Sequence, residues 1–183
     1  MIAVRPLDPP EAGRRRTALI HLVQDAVEGG ASIGFVLPLK RRELEAYWQS
    51  VVAAMRGGEH HLLAAFDDGQ LIGAAQLALE PRPNGRHRAE IMKLMVQRTH
   101  RRRGVARLLM AAAIELAARA ERTLLLLDVR TGDPAEALYR SLGFVRFGEV
   151  PRYAREPDGG LAASSFYYLE LPTTPEPDRP EVS

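Results

Sequence analysis

The segment "EIMKLMVQRTHRRRGVARLLM", residues 90–110, changes its period halfway through. Up to Gln97 it reads as a strand, and "RAEIMKLMVQ" gives that strand its length. From Arg103 to Ala120 the apolar residues Val105, Leu108, Leu109, Ala112, Leu116 and Ala120 recur at helical spacing. Between the two lies a turn in which Arg101, Arg102 and Arg103 abut Gly104. The first N–H groups of a helix have no partner inside it, and the helix dipole favours an anion there. Gly104 lets backbone approach a ligand with no Cβ in the way, and the arginines add charge-assisted hydrogen bonds to phosphate oxygens. A solvated basic cap and a nucleic-acid patch are the other readings of such a run. The second fits poorly, because the stretch has no aromatics for base stacking and the apolar side of its helix must face a core. Neither G-x-x-x-x-G-K-[ST] nor G-x-G-x-x-G occurs in the chain.

Working outward, Ile2–Arg5 reads as a short strand stopped by Pro6 and the Pro9-Pro10 pair. Glu11–Glu28 and Lys40–Arg56 read as helices, each ended by a glycine pair. His61–Phe66 and Gln70–Leu79 flank "DDGQ", a hairpin signal. "TLLLLDV", residues 123–129, has the continuous apolar character of a strand buried on both faces. Pro134–Leu142 is a short helix, and Phe144–Val150 and Ser164–Leu171 are closing strands. The order β-α-α-β-β-β-α-β-α-β-β describes one mixed α/β sheet with helices packed on it. Residues 1–171 form the expected single domain, and 172–183, "PTTPEPDRPEVS", an expected disordered tail.

With 183 residues, 46% of them hydrophobic, the chain can bury one real core. A net charge of +2 supplies no global attraction for a polyanion. The absence of cysteine excludes disulfides, zinc–cysteine sites and any route through a cysteine thioester. The opening "MIAVRPLDPP" has no apolar targeting core, and no apolar run is long enough for a membrane span. The expectation is a cytoplasmic protein, monomer or homodimer, with no nucleic-acid or membrane partner. The five histidines show no metal-ligand spacing, so no metal is expected. Trp48 is expected in the core.

Arg101-x-x-Gly104-x-Ala106 resembles the R/Q-x-x-G-x-G/A signature of the GNAT acyltransferases, which binds the pyrophosphate of acetyl-coenzyme A. "DPAEALYRSLGF", residues 133–144, is similar to the family's second cofactor segment, in which a tyrosine, here Tyr139, precedes a Gly-Phe pair. The resemblance implies a mostly antiparallel sheet of six to seven strands flanked by about four helices, with acetyl-CoA between the fourth and fifth strands. It implies that the turn residues Arg101, Arg102, Arg103, Gly104, Val105, Ala106 and Arg107 hold the pyrophosphate. Leu94, Met95 and Val96 would then pair with the pantetheine arm, with Asp133, Ala135 and Tyr139 on its other side. Asp133 stands where family members often carry asparagine, and helix capping accounts for it equally well. "GGASIGF", "PNGRHRAEIMKLMV" and "GEVPRYAREPDG" look more narrowly like the tabtoxin-resistance acetyltransferases, which acetylate a β-lactam amino-acid toxin. That similarity implies a small amine-bearing acceptor. Protein amine acetylation and a non-catalytic acyl-CoA-binding domain are the competing readings.

An amine attacking a thioester needs a base, a polarised carbonyl and a proton for the departing thiolate. Glu90 is the first candidate base. Strict alternation would set it with Met92, Leu94 and Val96 on one face, where apolar neighbours raise a carboxylate's pKa. Asp128, at the end of the buried strand, is the second. Either could instead be satisfied by an arginine, with Arg88 and Arg130 at hand. Tyr139 is the candidate acid, its phenol suited to protonating a thiolate. Gly30-Ala31-Ser32-Ile33-Gly34 fits G-x-S-x-G but lacks the strand-turn-helix setting of a hydrolase nucleophile. It reads as an acceptor-side loop, with Ser32 and Phe35 as substrate contacts.

Overall fold

The computed structural model describes residues 1–172; the expected disordered tail lies almost wholly outside them. Seven strands form one sheet: β1 (Ile2–Leu7), β2 (His60–Asp67), β3 (Gln70–Leu79), β4 (Arg88–Val96), β5 (Leu124–Arg130), β6 (Val145–Arg155) and β7 (Leu161–Glu170). The helices are α1 (Pro9–Arg14), α2 (Arg16–Glu28), α3 (Arg41–Arg56), α4 (Val105–Arg119) and α5 (Ala135–Ser141). The strand order is β1-β2-β3-β4-β5-β7-β6, and β4–β5 is the parallel pair in an otherwise antiparallel sheet.

Both faces are covered over the first strands. Leu19, Leu22, Leu44 and Trp48 of α2 and α3 pack on Leu62, Ala64, Ala74 and Met95. On the opposite face Val105, Leu109 and Ala113 of α4 pack on Ile72, Ala75, Ile91, Leu125 and Leu127. Burying each such large side chain contributes about 2 kcal/mol. α4 sits close because β3 carries Gly73 beneath it. A Cβ there would stand 2.9 Å from the Met95 carbonyl oxygen and 3.2 Å from Leu109 Cδ1.

Three boundaries differ from the sequence reading. Pro9 and Pro10 start a helix rather than stop a strand: they occupy its first turn, where a missing N–H costs nothing, and the Asp8 carboxylate accepts from Glu11 N at 2.6 Å. The expected helix from Glu11 to Glu28 is broken at Arg15 into α1 and α2. β1 and β6 run through Pro6 and Pro151 because both are edge strands, whose outer N–H groups need no ladder partner.

The largest correction is in β4. Ala74 pairs with Met95 and Gln76 with Met92, so Lys93 and Leu94 together oppose Ala75. This is a β-bulge, with Lys93 at φ +53. Alternation therefore breaks. Ala89 and Ile91 pack toward α4, as do Leu94 and Val96 beyond the bulge, whereas Met95 packs toward α2 and α3. Glu90 and Met92 face away from Leu94 and Val96, contrary to the single face that strict alternation predicts.

Candidate active site

β4 and β5 pair only from Arg88↔Leu124 to Glu90↔Leu126. Past that register they part, and each leaves a backbone edge without a strand partner. The opening is a cavity of about 1130 Å³, bounded by the α2–α3 loop, β4, the turn before α4, β5, α5 and the β6–β7 hairpin.

One end is lined with backbone donors. Gly104 is the N-cap of α4 at φ +80, and a Cβ there would meet no atom within 4 Å beyond its chain neighbours. The glycine thus answers to backbone conformation and to open space in front of it. The N–H groups of Arg102 to Arg107 find no acceptor among the described residues, the signature of an anion cradle. The arginines have separate duties. Arg101 Nε donates to the Val96 carbonyl at 3.3 Å and braces the turn. Arg103 pairs with Asp67 at 3.0 Å, Arg98 with Asp25 at 2.9 Å, and Arg107 donates to Ser141 Oγ at 2.7 Å. Among the residues expected on the cofactor side, Arg103 alone does not line the cavity; its side chain points to the β2–β3 turn instead. Asp133 does line it, but its carboxylate also accepts from Ala135 N at the start of α5 (2.9 Å) and pairs with Arg130 at 3.1 Å.

The other end holds the titratable groups. Asp128 lines the cavity from the end of β5. Glu90, expected beside it, does not line the cavity; it lies in a separate hollow with Ala78 and Leu126, on the same sheet face as Asp128. The arginines at hand for these carboxylates are engaged elsewhere: Arg88 with Glu80, and Arg130 with Asp133 and Glu156. Crowding by the surrounding protein raises the Glu90 carboxyl above the ordinary glutamate range. The charge of Asp128 adds to this, and that of Lys93 opposes it. Tyr139 is 6% exposed and packs against Phe144 and Tyr167, yet it reaches the cavity. Burial holds its phenol well above the usual value, with Asp133 and Asp128 adding to it, so it stays protonated.

Ser32 lines the cavity from the α2–α3 loop. Phe35 does not; it packs edge-on against Tyr47 with ring centroids 5.1 Å apart. A roof forms where the Arg130 guanidinium joins the Gly30 carbonyl (3.1 Å), Asp133 and the Glu156 carboxylate, and Leu37 N donates to the Pro157 carbonyl at 2.9 Å. Sequence reasoning missed Lys93, which lines the cavity at the bulge. Its signal was a single cation inside the apolar run "IMKLMV".

The model of the acetyltransferase (GNAT) family matches residues 18–144. The chain belongs to that family. Its fold is similar to the ribosomal-protein-alanine N-acetyltransferase of Brucella melitensis, at 26% identity over 92% of this chain and 99% of that one, with a TM-score of 0.77. It is also similar to a GCN5-related N-acetyltransferase from Kribbella flavida (25% identity, 93% and 98% covered, TM-score 0.75). A third likeness, in fold, is to the yncA protein of Salmonella typhimurium, solved with its cofactor acetyl-CoA (20% identity, 97% and 98% covered, TM-score 0.77). Among the described residues no three His, Asp or Glu side chains gather as a metal site, and no helix is long and apolar enough to cross a membrane.

Proposed function

We propose that this chain is an acetyl-CoA-dependent N-acetyltransferase acting on a primary amine of a small molecule, by direct attack within a ternary complex. The observation that carries the reading is the parting of β4 from β5 beside the unpartnered N–H groups around Gly104. Acetyl-CoA supplies an activated thioester. The N–H groups of Arg102 to Arg107 would hold its pyrophosphate, and the free edge formed by Leu94, Met95 and Val96 would take the pantetheine arm as an added strand. Asp133 and Ala135 flank the arm from α5. Asp128 orients the acceptor amine, and Glu90, made a stronger base by its raised pKa, takes its proton through an ordered water. Tyr139, kept protonated, gives a proton to the sulfur. The bridge from Arg130 and the bond from Leu37 to Pro157 roof the acceptor end, which favours a small molecule over an extended protein segment.

A protein amine is the second reading, because the Brucella melitensis relative is named for a ribosomal-protein alanine. The deciding experiment follows thiol release from acetyl-CoA across amino acids, β-lactam amino acids, aminoglycosides and peptides beginning with alanine. Turnover with small amines and none with peptides is expected. No turnover with any acceptor, together with no thermal shift from acetyl-CoA, overturns the reading.

A further inference from the structure

Lys93 is the one cation between Arg88 and Gln97. Its backbone is left-handed, at φ +53, a conformation that a residue with a Cβ adopts only where the surroundings over-determine it. That conformation sends the side chain toward the α2–α3 loop. Lys93 Nζ stands 3.0 Å from the place a Cβ on Gly34 would occupy, and both residues line the cavity. The loop can pass over the amine because position 34 has no side chain.

The lysine makes no ion pair and donates no hydrogen bond among the described residues. The arginines nearby are matched: Arg98 with Asp25, Arg103 with Asp67, and Arg130 with Asp133 and Glu156. Lys93 is half-buried, and that burial lowers the amine's pKa while Asp128 and Glu90 pull it back up. A desolvated cation calls for an anion in contact with it, and the protein brings no carboxylate to ion-pair or hydrogen-bond distance; Asp128 and Glu90 act on it only from farther off. Along the acceptor end the order is thus an ammonium under the loop, then Asp128 and Glu90 on the open sheet face. That pattern is the complement of a zwitterion.

We propose that Lys93 receives the carboxylate of an amino-acid-like acceptor whose amine is turned toward Asp128 and Glu90. This inference rests on the acyl-transfer reading above and narrows its acceptor. A protein N-terminus, with no carboxylate beside its amine, leaves Lys93 unmatched.

The test uses matched acceptors: an amino acid, its carboxamide and its decarboxylated amine, with wild type and Lys93→Met. The wild type is expected to favour the acid by tenfold or more in kcat/KM. Lys93→Met loses about tenfold to a hundredfold on the acid, the usual range for a lost charge-assisted contact, chiefly through KM. On the two neutral analogues it changes less than about threefold when both proteins are compared at a pH above their acid limbs, the remainder once that contact is excluded. Calorimetric titration of the amino acid into enzyme saturated with CoA gives a readout without turnover, and the same loss of affinity is expected. An unchanged acetyl-CoA thermal shift shows that the variant is folded. Equal losses on acid and neutral acceptors, or a 42 Da gain on Lys93 itself after incubation with acetyl-CoA, overturns the assignment while leaving the acyl-transfer reading intact. If no acceptor turns over and acetyl-CoA does not bind, it is that reading which has failed.

Discussion

Glu90 and Leu126 are the last residues at which β4 and β5 pair. The site begins where their register ends. The edge of β4 assigned to the donor's arm lies beyond that point, and Glu90 and Asp128 lie on the sheet face opposite Leu94 and Val96.

Gly104→Ala places a Cβ at φ +80, where a non-glycine residue costs about 1–2 kcal/mol. Beyond its chain neighbours, no atom lies within 4 Å of that Cβ, so thermal stability should fall only modestly. The same methyl group enters the space before the unpartnered N–H groups, and acetyl-CoA affinity should drop by about tenfold or more, as expected for a lost cluster of donors. Arg98→Ala unties Asp25 but should leave that affinity within about twofold, since an exposed pair contributes little. Titration calorimetry on both variants checks the order; a larger loss at Arg98 would make the turn an ordinary basic patch.

The acid limb of the rate profile should report Glu90. As a base it works when ionised, so activity is present above its pKa and lost as pH falls through it. Because that pKa is raised by crowding and by Asp128, the loss should begin above the ordinary glutamate value of about 4.3. Lys93→Met removes a charge that lowers it and should move the limb to higher pH. Asp128→Asn removes a charge that raises it and should move the limb lower, on a slower overall rate. Profiles of kcat/KM for the three proteins decide this, and a limb that ignores both substitutions dismisses Glu90.

Tyr139→Phe deletes one hydroxyl and keeps the ring on Phe144 and Tyr167. Stability should therefore change little. kcat should fall by roughly a hundredfold, the usual scale for losing a general acid, with acetyl-CoA affinity retained. A variant with wild-type kcat makes the tyrosine a core residue only.

Arg130→Ala frees the Gly30 carbonyl, Asp133 and Glu156 together. Leaving these acceptors unmatched should cost about 1–3 kcal/mol in urea unfolding. Amide exchange should accelerate near residues 30–39 and 155–160 and remain slow in α4. The KM for the acceptor should rise more than that for acetyl-CoA. Uniform acceleration across the fold would show that the bridge is not a local roof.

Much of this was legible in the sequence because it depends on period and punctuation. The strand-turn-helix around Gly104, the buried run before Asp128 and the helix before Phe144 carry their own markers. The break at Lys93 carried none, since a bulge displaces backbone without requiring a glycine, and a lysine in an apolar strand reads as one mismatched residue. The length of β6 was hidden by Pro151, which breaks a central strand but not an edge. Arg130 was legible as a cation near two carboxylates, but its choice of Glu156 and Asp133 depends on a hairpin tip far along the chain. Phe35 was expected in the pocket because its loop is there; one residue past Gly34, it turns to Tyr47 instead.

The bulge at Lys93 also makes β4 two reading frames joined at one residue. Positions before it can vary without disturbing the phase of those after it, where we place the donor. Paired in regular register instead of bulged out, Lys93 would take the face Leu94 now holds and turn Met95 away from the core it fills, so the displacement of one residue, more than any single side chain, keeps both halves of the strand in phase with their helices.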